Sequence, residues 1–187
     1  MQIDKSIIDK IISLKTPLVV GVSGFGGSGK SSFSSVLAEK IQAPVIGVDS
    51  FAKDATLDNY SHWNLMDFAR LKQEVIDPFL AGKNPIQYGL FDWKQNAIAE
   101  MKEVNHQGVI VVEGVGLFRP ELIQFFGYKI WVDCPIEKAV ARGKERDRKQ
   151  YQIDLDEYWD GIWQKNDREC FDAYKPKEIA DLVFKNG

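Results

Sequence analysis

The sequence predicts an α/β domain built on a five-stranded parallel sheet. Short apolar runs rich in β-branched residues alternate with helical patterns, as in sheets that are buried on both faces and joined by crossover helices. The five predicted strands are residues 17–22, 44–48, 109–112, 129–132 and 181–184. The length of 187 residues fits one domain, 1–187.

The intervening segments carry helical periodicity. Apolar residues recur with helical spacing in the first 15 residues, which predicts a short amphipathic helix packed on the domain. Charges interrupt this segment, so we expect neither a signal peptide nor a membrane span. Helices are predicted at 31–41, 136–149 and 156–171.

The interval 50–107 is too long for a plain crossover, and we expect an insertion over the carboxyl edge of the sheet. Asn64 is the predicted cap of a helix that bears Phe68 and Leu71 and that stops or kinks near Pro78. Residues 86–93 are predicted to be extended. Such an insertion is a natural place for substrate recognition.

Composition limits the classes of function. The net charge is −3, from 24 basic and 27 acidic residues. This balance argues against a protein that binds nucleic acid through bulk charge. The two cysteines, Cys134 and Cys170, form no disulfide framework, which favours a reducing, cytoplasmic setting.

The strongest signal is the stretch GVSGFGGSGKSS at residues 21–32, which contains the pattern G-x-x-x-x-G-K-S between a predicted strand and a predicted helix. Glycines allow positive φ, so that backbone N–H groups can turn toward an anion, and a helix start adds unpaired donors. This context predicts a phosphate-binding loop, the P-loop. Its expected nucleotide-binding residues are Gly24, Gly26, Gly27, Ser28, Gly29, Lys30, Ser31 and Ser32. Lys30 is expected to reach the β- and γ-phosphates, and the Ser31 hydroxyl to ligate Mg²⁺.

A P-loop alone does not distinguish kinases from GTPases. The segment QKND at 164–167 is similar to a guanine-recognition motif, but it follows a helical pattern rather than a strand. We interpret it as a solvated helix face. The third predicted strand ends in VVEG, which places Glu113 at its carboxyl end and lacks the GTPase Asp-x-x-Gly.

Six segments together resemble the uridine kinase and phosphoribulokinase-like P-loop kinases. They are GFGGSGKSS, VIGVDSF, VIVVEGVGLF, KIWVDCP, VARGKERD and KPKEIADLVF, and they cover the chain from about residue 17 to its end. The resemblance implies a P-loop fold with a mobile lid at about 142–156. It also implies transfer of a phosphoryl group from ATP, with Mg²⁺, to a hydroxyl of a small molecule.

The resemblance also implies roles for single residues. Asp49 of VDSF would be the general base on the acceptor hydroxyl and a further Mg²⁺ contact, and Glu113 would orient Mg²⁺. Arg142 and Arg146 lie four apart on one predicted helix face and would hold the phosphates during transfer. A surface pairing of these arginines is the alternative, and Arg148 is a weaker candidate.

The sequence departs from the family pattern at the acceptor. FDWKQN at 91–96 stands where uridine kinases carry a Tyr-Asp-Phe segment followed by a histidine. Ala52 replaces the tyrosine after Asp-Ser-Phe, Ser61 stands where an acid precedes the family histidine, and Gly143 replaces one of two adjacent arginines. No long β-hairpin extension is expected. These changes make uridine or cytidine doubtful as the acceptor.

The candidate acceptor contacts are Asp49, His62, Phe91, Asp92 and Trp93. Tyr60 and Trp63 could join Phe91 and Trp93 in an aromatic wall, although aromatic residues are equally at home in a core. His62 could equally be a surface histidine.

The leading hypothesis is therefore a cytoplasmic, ATP-dependent kinase of a nucleoside or related metabolite, without nucleic-acid or membrane partners and with a homo-oligomer left open. The alternative is a nucleotide-binding regulatory protein that phosphorylates nothing. A third hypothesis, a kinase of a phosphorylated or acidic acceptor, would call on extra basic residues such as Lys53, Arg70 and Lys94.

Overall fold

The computed structural model describes residues 1–187 and contains a five-stranded sheet and a separate two-stranded hairpin. The strands are β1 (Leu18–Ser23), β2 (Val45–Gly47), β3 (Ile86–Asp92), β4 (Ala97–Val104), β5 (Val109–Gly114), β6 (Tyr128–Asp133) and β7 (Leu182–Lys185). The large sheet has the order β2-β5-β1-β6-β7, and every neighbouring pair in it is parallel. The predicted α/β fold and its five parallel strands are confirmed.

Eight helices surround the strands. They are α1 (Lys5–Ile12), α2 (Lys30–Ile41), α3 (Phe68–Leu71), α4 (Asp77–Leu80), α5 (Ile136–Arg146), α6 (Asp156–Tyr158), α7 (Gln164–Tyr174) and α8 (Pro176–Ile179). Segments of π-helical geometry join α3 to α4 (Lys72–Ile76), extend α5 (Asp147–Tyr151) and join α6 to α7 (Trp159–Trp163). No helix combines the length and the apolar character needed to cross a membrane.

The core has a separate hydrophobic cluster on each face of the sheet. Ile11 of α1 and Phe33 of α2 pack with strand residues such as Val20 on one face. The predicted amphipathic helix at the start of the chain is thereby confirmed. The larger cluster, on the other face, contains apolar residues of the insertion, among them Phe68 and Phe79.

The predicted cap of the insertion helix is wrong. The side chain of Asp67, not that of Asn64, accepts the hydrogen bond from the backbone N–H of Arg70 that caps α3. Pro78 does not stop the helix, which continues through α4 to Leu80. Since a proline cannot donate to the residue four positions earlier, the wider turn of Lys72–Ile76 just before it accommodates the missing bond.

The insertion contains a β-hairpin, which the sequence pattern did not indicate. Residues 86–92 are extended, as predicted, but they pair antiparallel with β4 from Ile86 opposite Val104 to Asp92 opposite Ala97. All residues of β4 except Val104 are exposed, so the strand lacks the one-sided apolar alternation of a strand on a core. The strands β3 and β4 together form a hairpin that lies within the insertion.

Candidate active site

The P-loop joins β1 to α2 in a conformation that requires glycine. Gly27 and Gly29 have φ of 75° and 91°, in the left-handed region that other residues rarely adopt. A Cβ on Gly27 would lie 2.0 Å from the carbonyl oxygen of Ala139 in α5. The loop therefore packs directly against α5. It continues into α2, which begins at Lys30.

Lys30 is the first residue of α2 and folds back over the loop. Its Nζ lies 3.4 Å from the carbonyl oxygen of Phe25, a long hydrogen bond. No carboxylate lies within ion-pair distance of the ammonium group, so Lys30 carries a charge that an anion bound on the loop could neutralise.

Two carboxylates and a hydroxyl meet at the carboxyl edge of the sheet beside this loop. The Ser31 hydroxyl donates to Oε1 of Glu113 at 3.1 Å, at the end of β5. Burial raises the pKa of Glu113, the positive charge of Lys30 acts against this rise, and the negative charge of Asp49 adds to it. Asp49 is exposed in the turn after β2, so the structure brings Lys30, Ser31, Asp49 and Glu113 into one electrostatic neighbourhood.

This neighbourhood fits a magnesium ion. Oε2 of Glu113 is buried and has no hydrogen-bond partner, so this oxygen is available to ligate a cation. Mg²⁺ prefers hard oxygen donors and is commonly held by one or two carboxylates together with phosphate oxygens of the substrate. Glu113, Ser31 and Asp49 supply donors of this kind, and no group of three or more acidic, histidine or cysteine side chains forms a complete metal site.

The two predicted lid arginines occupy different positions. Nη1 of Arg142 donates to the carbonyl oxygen of Asn186 at 2.6 Å, and the amide of Asn186 donates to the carbonyl of Ser28 in the P-loop at 2.7 Å. Arg146 instead pairs with the buried carboxylate of Asp147, with nitrogen–oxygen distances of 2.8 and 2.9 Å. The structure brings Arg142 to the P-loop through Asn186, and it leaves Arg146 turned toward its neighbour in the chain.

Arg148, the weaker candidate, forms an ion pair with Asp156. That contact lies within the predicted lid region of 142–156 and does not include the P-loop.

Gly143, where the family carries an arginine, makes room for an aromatic side chain. A Cβ on Gly143 would lie 2.4 Å from the ring of Trp159, and a Cβ on Gly26 of the P-loop would lie 3.0 Å from the same ring. The Trp159 indole N–H donates to Asp147 at 2.7 Å. Trp159 is thus wedged between α5 and the P-loop.

The interpretation of QKND as a solvated helix face is wrong, although the predicted helix is present as α7. Asn166 and Asp167 are buried, with 0% and 5% of their surfaces exposed. Oδ2 of Asp167 accepts from the N–H of Gly26 at 2.7 Å, and Oδ1 accepts from the indole N–H of Trp63 at 2.8 Å. These partners lie 141 and 104 residues away in the sequence, and so the local helical pattern could not indicate the burial.

Three of the predicted acceptor contacts have partners of their own in this structure. Phe91 is buried in the core. Asp92 closes the β3–β4 turn by accepting from the backbone N–H groups of Lys94 and Gln95. The His62 ring lies 3.9 Å from Glu169 of α7. The structure does not direct these side chains to Asp49.

Trp93 is the remaining predicted acceptor contact besides Asp49. It is 42% exposed, and its indole N–H donates to the backbone carbonyl of Asp49 at 3.2 Å. Tyr60 and Trp63 are buried in the core like Phe91, so only Trp93 of the four wall candidates presents an exposed ring near Asp49.

Asn96, which stands where the family carries its histidine, is used within the insertion. Its amide donates to Asp54 at 2.8 Å, and its oxygen accepts from the N–H of Ala55 at 2.6 Å. Sequence reasoning missed Asn186, Asp167 and Trp159 as neighbours of the P-loop. Asp167 lies in the QKND segment that was interpreted as a solvated helix face, and the other two lie in no motif that would have indicated the contact.

Comparison with known proteins places this geometry in a known context. No family model matches the chain. Curated relatives named uridine kinase include one from Clostridium novyi, 28% identical over 91% of this chain and 88% of its own length. Another, from Yersinia enterocolitica, is 28% identical over 91% of this chain and 87% of its own length. The chain is an ATP-dependent kinase that is similar to the uridine kinases. The predicted resemblance is confirmed, as is the predicted class of activity, an ATP-dependent kinase that acts on a hydroxyl group of a small molecule.

Solved structures share the fold of this chain. A possible uridine kinase from Bacillus stearothermophilus has a TM-score of 0.72, 18% identity and coverage of 96% of both chains. A candidate fructose transport system kinase from Silicibacter sp. TM1040 has a TM-score of 0.76, 24% identity and coverage of 96% of this chain and 97% of its own. The predicted P-loop kinase fold is confirmed. Nothing in the structure or among these relatives favours the alternative of a regulatory protein.

Proposed function

We propose that the chain transfers the γ-phosphoryl group of ATP to a hydroxyl of a small molecule bound beneath the insertion, and that Asp49 accepts the hydroxyl proton. The observation that carries this proposal is the meeting of the P-loop lysine with two strand-end carboxylates. The pKa of Glu113 responds to both Lys30 and Asp49, which places all three within electrostatic reach of one another. That is the arrangement needed to bind a polyphosphate and activate a nucleophile beside it.

The phosphates of ATP are expected to lie on the P-loop and the start of α2. Unpaired N–H groups at a helix start and the partial positive charge there favour an anion. Lys30 has only the long contact to Phe25 to give up, so it can turn to the β- and γ-phosphates at little cost. Its predicted role is to stabilise the charge that develops on the transferred group.

The acceptor hydroxyl attacks the γ-phosphorus in line with the leaving oxygen. A new oxygen–phosphorus bond forms, the bond to the bridging oxygen of ATP breaks, ADP leaves, and the hydroxyl proton passes to the Asp49 carboxylate. Mg²⁺, held by Ser31, Glu113 and the phosphates, would neutralise negative charge on the phosphate oxygens. Asp49 is exposed and carries no hydrogen bond on its carboxylate, so it is free to take the proton.

Arg142 and Arg146 are proposed to join the phosphates when the lid closes. Arg142 would exchange the carbonyl of Asn186 for a phosphate oxygen, and Arg146 would exchange Asp147. Both exchanges substitute one charge-assisted bond for another, and closure would keep water from the γ-phosphoryl group.

The acceptor is proposed to be a nucleoside or sugar that lies against Trp93. Its exposed ring beside Asp49 offers a flat apolar surface to a sugar or base. An acidic or phosphorylated acceptor is less well supported, because Arg70 is engaged with the carbonyl oxygens of Ser50 and Gly89, and Lys53 donates to the carbonyl of Asn64.

The proposal is tested by measuring ATP-dependent phosphorylation over a panel of nucleosides, sugars and vitamin precursors, with mass detection of products. For the acceptor that the wild type phosphorylates, we expect Lys30→Ala to lower the rate of transfer at least about 100-fold, since it removes a charge that acts on the transition state. Lys40→Ala, at the exposed end of the same helix, is the matched control and should transfer at the wild-type rate. An unchanged rate in Lys30→Ala would refute the proposal.

A further inference from the structure

The buried carboxylate of Asp167 connects the P-loop to the insertion. In the proposed reaction these two parts hold ATP and the acceptor. Asp167 of α7 binds Gly26 of the P-loop through one oxygen and Trp63 of the insertion through the other. Only 5% of its surface is exposed, and neither partner is close to it in the sequence. The charge of Asp167 is thus used for two directed hydrogen bonds inside the protein.

The bond to Gly26 fixes a particular peptide unit of the P-loop. The carbonyl of Phe25 and the N–H of Gly26 belong to the same planar peptide. On one side this carbonyl accepts from Lys30 at 3.4 Å and from the N–H of Ser28 at 3.0 Å. On the other side the N–H points to Asp167. The carboxylate therefore sets the orientation of the carbonyl against which Lys30 rests.

The bond to Trp63 is one of several that hold residues 60–63 on α7. Asn166 accepts from the backbone N–H of Trp63 at 2.7 Å and donates to the carbonyl of Tyr60 at 3.2 Å. Glu169 accepts from the N–H of His62 at 3.1 Å. Asp167 is the member of this set that also reaches the P-loop, so it is the point where the insertion and the phosphate site meet.

We infer that Asp167 is a positioning residue for ATP, which fixes the P-loop peptide through Gly26 and is itself held by Trp63 of the insertion. The inference rests on the proposed binding of ATP to the P-loop. Two donors face the carboxylate, and each needs an acceptor. An asparagine at this position would turn its NH₂ group toward one of the two N–H groups, and that donor would lose its partner.

The test is the dissociation constant of ATP, measured by calorimetry well below the melting temperature of each variant. We expect Asp167→Asn to raise the constant about tenfold, because a buried donor at the P-loop loses its acceptor. Trp63→Phe should raise the dissociation constant of ATP about threefold or more. The Trp63 indole reaches the P-loop only through Asp167, so a rise in this variant would report the connection through that carboxylate. The double variant should bind ATP no more weakly than Asp167→Asn alone, since both changes break the same chain of bonds.

Asp172→Asn, on the exposed surface of the same helix, is the matched control and should bind ATP like the wild type. A purely structural role would lower the melting temperature of Asp167→Asn and leave the dissociation constant unchanged, and this result would overturn the inference. Effects of Asp167→Asn and Trp63→Phe that multiply in the double variant would also overturn it. If Asp167→Asn fails to fold, an unchanged dissociation constant of ATP in Trp63→Phe would overturn the inference. A wild type that does not bind ATP would instead refute the proposed function, and the inference with it.

Discussion

Burial raises the pKa of two carboxyl groups beside the P-loop. In Glu113 the rise comes first from burial, with Lys30 and the Ser31 hydroxyl acting against it. In Asp167 burial raises the pKa to about 6, although Lys30 and the N–H groups of Gly26 and Trp63 all favour the charged form. Tyr60 and Cys170 also face this carboxylate; burial raises the pKa of each, and the charge of Asp167 adds to the rise. Perturbed carboxyl groups of this kind are typical of functional sites.

The raised pKa of Asp167 predicts a distinct pH dependence of stability. The native state binds the Asp167 proton more tightly than the unfolded chain does, so this group favours folding at low pH, and that contribution is lost as the pH rises from about 4 through about 6. A rise of this size corresponds to about 3 kcal/mol of unfolding free energy. Urea unfolding from pH 4 to 7 should therefore show the wild type losing stability relative to Asp167→Asn as the pH rises.

Since Asp167→Asn cannot titrate at this position, the difference between the two curves isolates the one group. The difference in unfolding free energy between the wild type and Asp167→Asn should be constant above about pH 7. Parallel curves between pH 4 and 6, or a wild type that gains stability relative to the variant over that range, would contradict the assigned pKa.

At the scale of elements, α5 is packed against the P-loop without a gap. The carbonyl of Ala139 occupies the space where Gly27 would carry a side chain, and Trp159 fills the space beside Gly143 and Gly26. Trp159 is 4% exposed and is held by Asp147, so the ring cannot easily move aside. The glycines are therefore required by close packing between a helix and a loop, and α5 packs along one side of the P-loop.

This packing predicts the effect of a single methyl group. Gly143→Ala places a Cβ 2.4 Å from the Trp159 ring, and such overpacking typically costs about 1–3 kcal/mol. The gain in helix propensity of about 1 kcal/mol offsets only part of that cost. Thermal unfolding should therefore show a lower melting temperature for Gly143→Ala.

Lys138→Ala, on the exposed face of the same helix, is the control for that experiment and should leave the melting temperature nearly unchanged. A Gly143→Ala variant as stable as the wild type would mean that Trp159 does not pack against this glycine.

For the whole molecule, the sequence was sufficient to predict the sheet and the phosphate loop. The central strands β1 and β5 are buried, and burial leaves continuous apolar runs that the sequence pattern reveals. The P-loop is a local motif, so the positions of Lys30 and Ser31 within it could be predicted from spacing alone. The roles of Glu113 and Asp49 were implied by the resemblance, and they agree with the edge that the carboxyl ends of parallel strands share.

Other features depend on contacts that no local pattern contains. The strand β4 is exposed and is stabilised by its partner β3, so its residues carry no core pattern. Asp167 lies in a polar stretch typical of a solvated helix, and only the folded chain brings Gly26 and Trp63 to it. Asn186 near the end of the chain reaches Ser28 over 158 residues. Such tertiary contacts override the local preference for solvent.

We would measure first the single-turnover rate of phosphoryl transfer by Asp49→Asn, with the acceptor that the wild type phosphorylates fastest and with the dissociation constant of ATP measured in parallel. The variant keeps the size of the side chain and removes the base, so we predict a rate about 100- to 10,000-fold lower and an unchanged ATP constant. Asp58→Asn, an exposed carboxylate of the same insertion, should match the wild type in both. Transfer by Asp49→Asn at the wild-type rate would contradict the assignment of Asp49 as the general base.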